Sequence, residues 1–264
     1  MSIKNIFLFA ITVLIILGAC KKTTELLDDN NKWVPSDQTQ NANVKFINTF
    51  PSLTPALTNG AGPALVVYRD AQRVVPSTPA PYPMTYGVQF PNSTTYSLVP
   101  VGATTFYYIM NRVSNGSFAP VAGDTVFRNT ATLEAGKYYT MFLVDTVPNP
   151  KVLAFEDVFT IPDLDKYKAR FVNLTANPAD RYDVYSDKNT GNIFSNVGYK
   201  EMKDFIDLPV PSGTDTLRLR LTGTTADISK LAFFATPQRV YTLFSRGKTG
   251  VTGRPVLLTF YTNR

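Results

Sequence analysis

Thr216-Leu217-Arg218-Leu219-Arg220-Leu221-Thr222 is the stretch that decides the fold. Leucine and arginine alternate with a period of two, so the leucines share one face and the guanidinium groups the other. That is the pattern of a β-strand with one face on a core and one in water, whereas an amphipathic helix repeats its apolar residues every three to four positions. Outward from this strand the chain is a succession of short β-branched and aromatic runs, at 44–48, 65–68, 104–111, 137–145, 152–155, 168–173, 240–244 and 256–261. Pro, Gly, Asn and Asp break them, and almost no stretch has helical spacing. The expectation is an all-β protein.

These runs come twice in the same order. Lys45-Phe46-Ile47-Asn48 returns as Arg170-Phe171-Val172-Asn173, and Val67-Tyr68-Arg69-Asp70 as Val184-Tyr185-Ser186-Asp187. Leu98-Val99-Pro100-Val101-Gly102 has an echo in Leu208-Pro209-Val210-Pro211-Ser212-Gly213, and Tyr139-Thr140-Met141-Phe142 in Tyr241-Thr242-Leu243-Phe244. The separation of matched segments falls steadily, from 125 residues at Lys45 and Arg170 to 102 at Tyr139 and Tyr241. Four ordered matches with one-way drift indicate duplication, with shorter loops in the second copy. The predicted organisation is a first β-sandwich module over 43–160 and a second over 167–264, with an exposed connector at 160–166 that carries Pro162. Phe, Val, Ile and Tyr at alternate positions fill the space between sheets, while Asn48 and Asn173 are placed to bond their own backbone where a strand ends.

The amino terminus adds an address. Residues 1–19 have a basic start at Lys4, an apolar run from Ile6 to Leu17 and small residues before a break, the three parts of an export signal. The run is too short for a spanning helix, which needs roughly 20 apolar residues. Leu17-Gly18-Ala19-Cys20 resembles the lipobox of bacterial lipoproteins, which implies cleavage before Cys20 and lipid on its thiol. Acyl chains contribute about 0.8 kcal/mol per buried methylene, enough for two or three chains to hold a protein on a membrane. Residues 20–42, rich in Lys, Asp, Asn, Gln and Thr, read as the anchor and a flexible tether.

Lipobox and repeats together resemble a family of Bacteroidota cell-envelope lipoproteins built from domains of unknown function. Its modules begin (R/K)-F-(I/V)-N and continue with V-Y-x-D and Y-T-x-F strands, here carried by Phe46 and Phe171, Tyr68 and Tyr185, and Tyr139 and Tyr241. The resemblance implies two tandem immunoglobulin-like or transthyretin-like sandwiches in an outer-membrane lipoprotein, facing the periplasm or the cell surface. It implies no activity.

Composition excludes several chemistries. The chain has no histidine and one cysteine, so Ser-His-Asp and Cys-His catalysis and imidazole metal ligation are absent, and lipidation consumes the thiol. Among the acids Glu156, Asp157, Asp163 and Asp165 neither a catalytic carboxylate pair nor a calcium site is expected. The net charge of +6 is scattered, without the clustered Lys and Arg of a nucleic-acid footprint. No enzyme, metal or cofactor is expected. The partners anticipated are the membrane, through Cys20, and a surface glycan or another envelope protein. The candidate contact residues are Tyr82 and Tyr86 in the proline-rich insertion at 76–91, which either stack on a ligand or cover the end of the sandwich. The alternative is a pilus-like or adhesin subunit that assembles by exchanging the terminal strand at 256–261.

Overall fold

The alternating Leu-Arg stretch forms β14 (Asp215–Leu221) in the computed structural model, with Leu217 and Leu219 fully buried. Arg218 and Arg220 lie on the opposite face, where Arg218 pairs with Asp187 at 2.6 Å and Arg220 with Asp227 at 2.8 Å. The structure describes residues 38–51, 65–69, 72–75, 84–92, 94–110, 125–145 and 149–264, and these contain strands and turns but no helix. The leader, Cys20, most of the tether and Tyr82 lie outside the described residues.

The strand connectivity runs twice. In the first half β1 (Asn41–Asn48) pairs in parallel with β8 (Tyr138–Val144), which pairs antiparallel with β9 (Lys151–Glu156). The other edge of β1 takes two short strands, β4 (Gln89–Phe90) and β5 (Ser97–Pro100). A second sheet faces this one in the order β3 (Gln72–Val75), β2 (Leu65–Arg69), β6 (Gly102–Met110), β7 (Thr125–Leu133). In the second half β13 (Met202–Pro209), β10 (Lys166–Asn173), β16 (Val240–Arg246) and β17 (Leu257–Thr262) make the first sheet. The second has the order β12 (Gly191–Val197), β11 (Tyr182–Ser186), β14, β15 (Asp227–Phe233). In each half the first strand sits in a different sheet from the second and runs parallel to the penultimate strand. An immunoglobulin constant domain instead keeps its first two strands in one sheet, so of the two sandwich types expected the transthyretin-like one remains.

Both matched asparagines behave as expected of strand ends. Asn48 Oδ1 accepts from the Phe50 amide at 3.2 Å and Asn173 Oδ1 from the Thr175 amide at 3.2 Å. Two boundaries differ from the sequence reading. β1 begins at Asn41, inside the stretch that composition assigned to the tether, because the small Ala42 faces the core between two asparagines. The cross-strand register places Pro100 where Pro209 stands, opposite Asn41 and Lys166, so Val99 and not Leu98 matches Leu208. Val99 and Leu208 are buried and Leu98 is exposed, as a one-residue slip in a period-two structure demands.

Gln38–Arg264 is one compact unit, built as four stacked sheets. Val44, Phe46 and Phe106 belong to the core between the two sheets of the first half, and Phe171, Leu219 and Leu243 to that of the second. A third core joins the halves: Ile47, Phe142 and Val144 meet Val172, Phe244 and Tyr261. The strands β1, β8, β10 and β16 are therefore buried on both faces.

Candidate functional site

The residues that the repeat motif makes basic, Lys45 and Arg170, face the junction of the halves. Alternation along β1 and β10 sends Phe46 and Phe171 into their own sandwiches and the basic residues the other way, where both are fully buried. Arg170 Nη2 ion-pairs with Asp157 and lies 3.1 Å from the Tyr261 hydroxyl, and its Nε donates to Thr242 Oγ1 at 2.8 Å. Asp157 also accepts from Thr140 Oγ1 at 2.7 Å and from the Tyr96 hydroxyl at 2.8 Å, and Asn263 Nδ2 donates to that hydroxyl at 3.0 Å. Lys45 Nζ lies over the rings of Tyr96 at 4.9 Å and Tyr261 at 5.5 Å, matching Arg170 over Phe205 at 4.6 Å. Burial lowers the Lys45 ammonium to about 8, partly offset by Asp157, and pushes the Tyr96 and Tyr261 phenols up. This network is a buried, hydrogen-bonded junction, and Asp157 is occupied by it. Asp163, another of the acids weighed as a catalytic candidate, pairs with Lys166 at 2.7 Å. Among the described residues no acidic group has the makings of a metal site.

Tyr86 packs against cations of the second half. Two guanidinium groups of the second half lie over its ring, Arg246 at 4.6 Å and Arg254 at 4.5 Å from the ring centre. Burial raises its phenol against the pull of those two charges. The neighbouring Gly87 has φ +80°, its amide donates to the Asn48 carbonyl at 2.6 Å, and a Cβ there would come within 2.7 Å of the Arg246 guanidinium. Tyr86 thus links the first half to Arg246 and Arg254 of the second.

The open surface is nearby. A groove of about 580 Å³ enters the end of the first sandwich, with Phe90, Pro91, Tyr96 and Ser97 on one side and Arg69 and Val74 on the other. Its origin is visible by comparison with the second half. Phe90 and Lys203 occupy equivalent register positions opposite Phe46 and Phe171, and Ser97 and Ile206 do so opposite Val44 and Ala169. Between them the second half has only Asp204 and Phe205 and keeps one continuous strand, β13. The first half has Pro91 through Tyr96, which divides that strand into β4 and β5. The insertion leaves the sandwich open at this edge. Only its start, Phe90 and Pro91, fell within the loop singled out from sequence. The signal that would have found the rest was the four-residue excess between Phe90 and Ser97, legible once the strand register is known.

Fold and site thus define an all-β double sandwich with a groove in its first half and no catalytic constellation among the described residues. The chain belongs to the family of DUF4397, a domain of unknown function, whose model matches residues 42–180. No curated protein matches it. Among solved structures it is similar to a family 26 carbohydrate-binding module of Eubacterium rectale Amy13K in complex with maltoheptaose, at 12% identity and TM-score 0.25 over 85% of this chain and 97% of that one. It is also similar to the Bacillus anthracis TIE protein, at 12% identity and TM-score 0.23 over 79% of this chain and 34% of that one. A candidate cell-adhesion protein of Bacteroides fragilis matches at 11% identity and TM-score 0.20 over 86% and 98%. Likenesses this slight do not bear on function.

Proposed function

We propose that the protein is a non-enzymatic binding protein of the cell envelope, anchored by lipid on Cys20, that holds a surface glycan in the groove of its first sandwich. The observation that carries the reading is the groove itself. The duplication supplies two copies of one fold, and the copy with the Pro91–Tyr96 segment opens between its sheets. Aromatic and proline faces beside polar Asn41 and Ser97 suit a sugar ring, which offers apolar C–H faces and hydroxyl groups together. The junction of the halves supports the same reading, because a locked scaffold lowers the ordering cost of binding.

Terminal-strand exchange is the weaker alternative. Tyr261 of β17 is buried in the junction and its hydroxyl donates to Thr140 at 2.8 Å, so withdrawing the strand would open both the second sandwich and the junction. The test is retention of the full-length protein on a carbohydrate panel, beside Ser97→Trp, which fills the groove mouth. Retention by the wild type and its loss in the variant, at an unchanged melting temperature, are expected. Equal retention by both, or none by the wild type, refutes groove binding. For the anchor, Cys20→Ser should leave the membrane fraction and lose fatty-acid labelling, and membrane retention with labelling intact would refute it.

A further inference from the structure

We infer that the glycan held in the groove is acidic, with Arg69 receiving a sugar carboxylate; this rests on the glycan-binding reading above. Alternation along β2 puts Arg69 on the same face as the core residues Leu65 and Val67, so it points between the sheets at the end of the sandwich. It is half-buried, lines the groove, and its Nε is buried without a hydrogen-bond partner. Among the described residues Arg69 makes no ion pair.

The second half builds the corresponding place differently. Register makes Ser186 the counterpart of Arg69, opposite Leu217 as Arg69 is opposite Phe106. Two residues before those partners, Asp215 is the counterpart of Thr104, and both face inward. Ser186 Oγ donates to Asp215 Oδ2 at 2.6 Å, and Asp215 Oδ1 accepts from the Lys188 amide at 3.0 Å. The second half thus closes its end with an internally satisfied acid. The first half has Thr104 in place of the acid, bonded to the Gly102 carbonyl at 3.4 Å, and a cation, Arg69, in place of Ser186. A half-buried guanidinium that meets no carboxylate among the described residues, in an open groove, is complementary to a planar anion, which it can bind through two parallel N–H···O bonds. Phe90 and Pro91 then lie against the ring that carries the carboxylate.

The experiment measures binding of the full-length protein to oligouronates, to the same oligomers after reduction of their carboxyl groups, and to neutral maltooligosaccharides. The expected result is binding of the oligouronates alone, weakened about 10- to 100-fold by Arg69→Gln, the range for a charge-assisted hydrogen-bonded contact. Arg69→Lys, which keeps the charge but not the planar fork, should recover part of the loss. Equal affinity for acidic and carboxyl-reduced oligomers, unchanged by Arg69→Gln, overturns the inference while leaving glycan binding intact. Absence of binding to every saccharide overturns both. Melting temperatures of the variants guard against misfolding, and should Arg69→Gln unfold, the comparison of acidic with reduced oligomers on the wild type decides alone.

Discussion

Replacing Asp157 with Asn tests whether the buried junction holds the two sandwiches as one body. Asp157 is the only carboxylate bonded to Arg170 among the described residues, and both side chains are almost wholly inaccessible. The amide keeps the shape of the carboxyl and can accept from Thr140 or Tyr96, but it cannot neutralise the guanidinium. The remaining partners of Arg170 are neutral: Thr242, the Tyr261 hydroxyl, the Glu156 carbonyl at 3.4 Å and the Met202 sulfur at 3.6 Å. Removing one member of a buried pair costs about 3–5 kcal/mol, because the surviving charge stays desolvated. At about 2–4 °C per kcal/mol for a body of this size, the melting temperature falls by roughly 6–20 °C. Asp157 follows the last strand of the first half and Arg170 lies in the first strand of the second. The loss should therefore appear in the unfolding of both halves when followed by urea titration. Arg170→Met combined with Asp157→Asn should recover a large part of it, since the orphaned charge is gone; the double-mutant cycle reads that coupling directly. A loss below about 1 kcal/mol for Asp157→Asn, the range of an exposed pair, would refute the argument from desolvation.

Two further outcomes follow from the same surfaces. Lys45 releases its proton at about 8 when folded and near 10.5 when unfolded, so between these values the unfolded chain binds more protons and stability rises with pH. The slope approaches 1.4 kcal/mol per pH unit from pH 8 to about 10, above which the raised phenols of Tyr96 and Tyr261 act in the opposite sense. In Lys45→Met this rise should vanish from the stability profile, and parallel profiles for variant and wild type would show that Lys45 is not the group responsible. Gly87→Ala forces a side chain into the left-handed region at φ +80° and pushes on Arg246, for a loss of about 1–3 kcal/mol in chemical denaturation. Part of that loss should disappear in an Arg246→Ala background; an additive pair would mean that Arg246 does not press on this turn.

Period-two alternation made the fold class legible at β14, and ordered motifs made the duplication legible at Phe46 and Phe171, because both signals are local. Strands such as β12, β13 and β15 escaped the reading. Their exposed faces carry Lys, Asp and Asn, and the few residues they bury, such as Phe194, Leu208 and Phe233, are too sparse to show a clear period. Tyr86 stands out in sequence as an aromatic in a proline-rich loop, but no local signal places Arg246 and Arg254, at least 160 residues on, over its ring.

The sequence by itself determined that the chain is β, that it repeats, and that histidine chemistry is closed to it, since composition and strand periodicity need no partner to be read. Only the tertiary structure decided which faces meet water. Lys45 and Arg170 alternate with Phe46 and Phe171 as solvent-facing residues do, yet the stacking of β1 and β10 buries them between the halves. The groove likewise exists only where the inserted segment breaks a strand whose register is fixed by its neighbour. A strand's pattern fixes which side chains share a face, but what covers that face depends on segments far away in the chain.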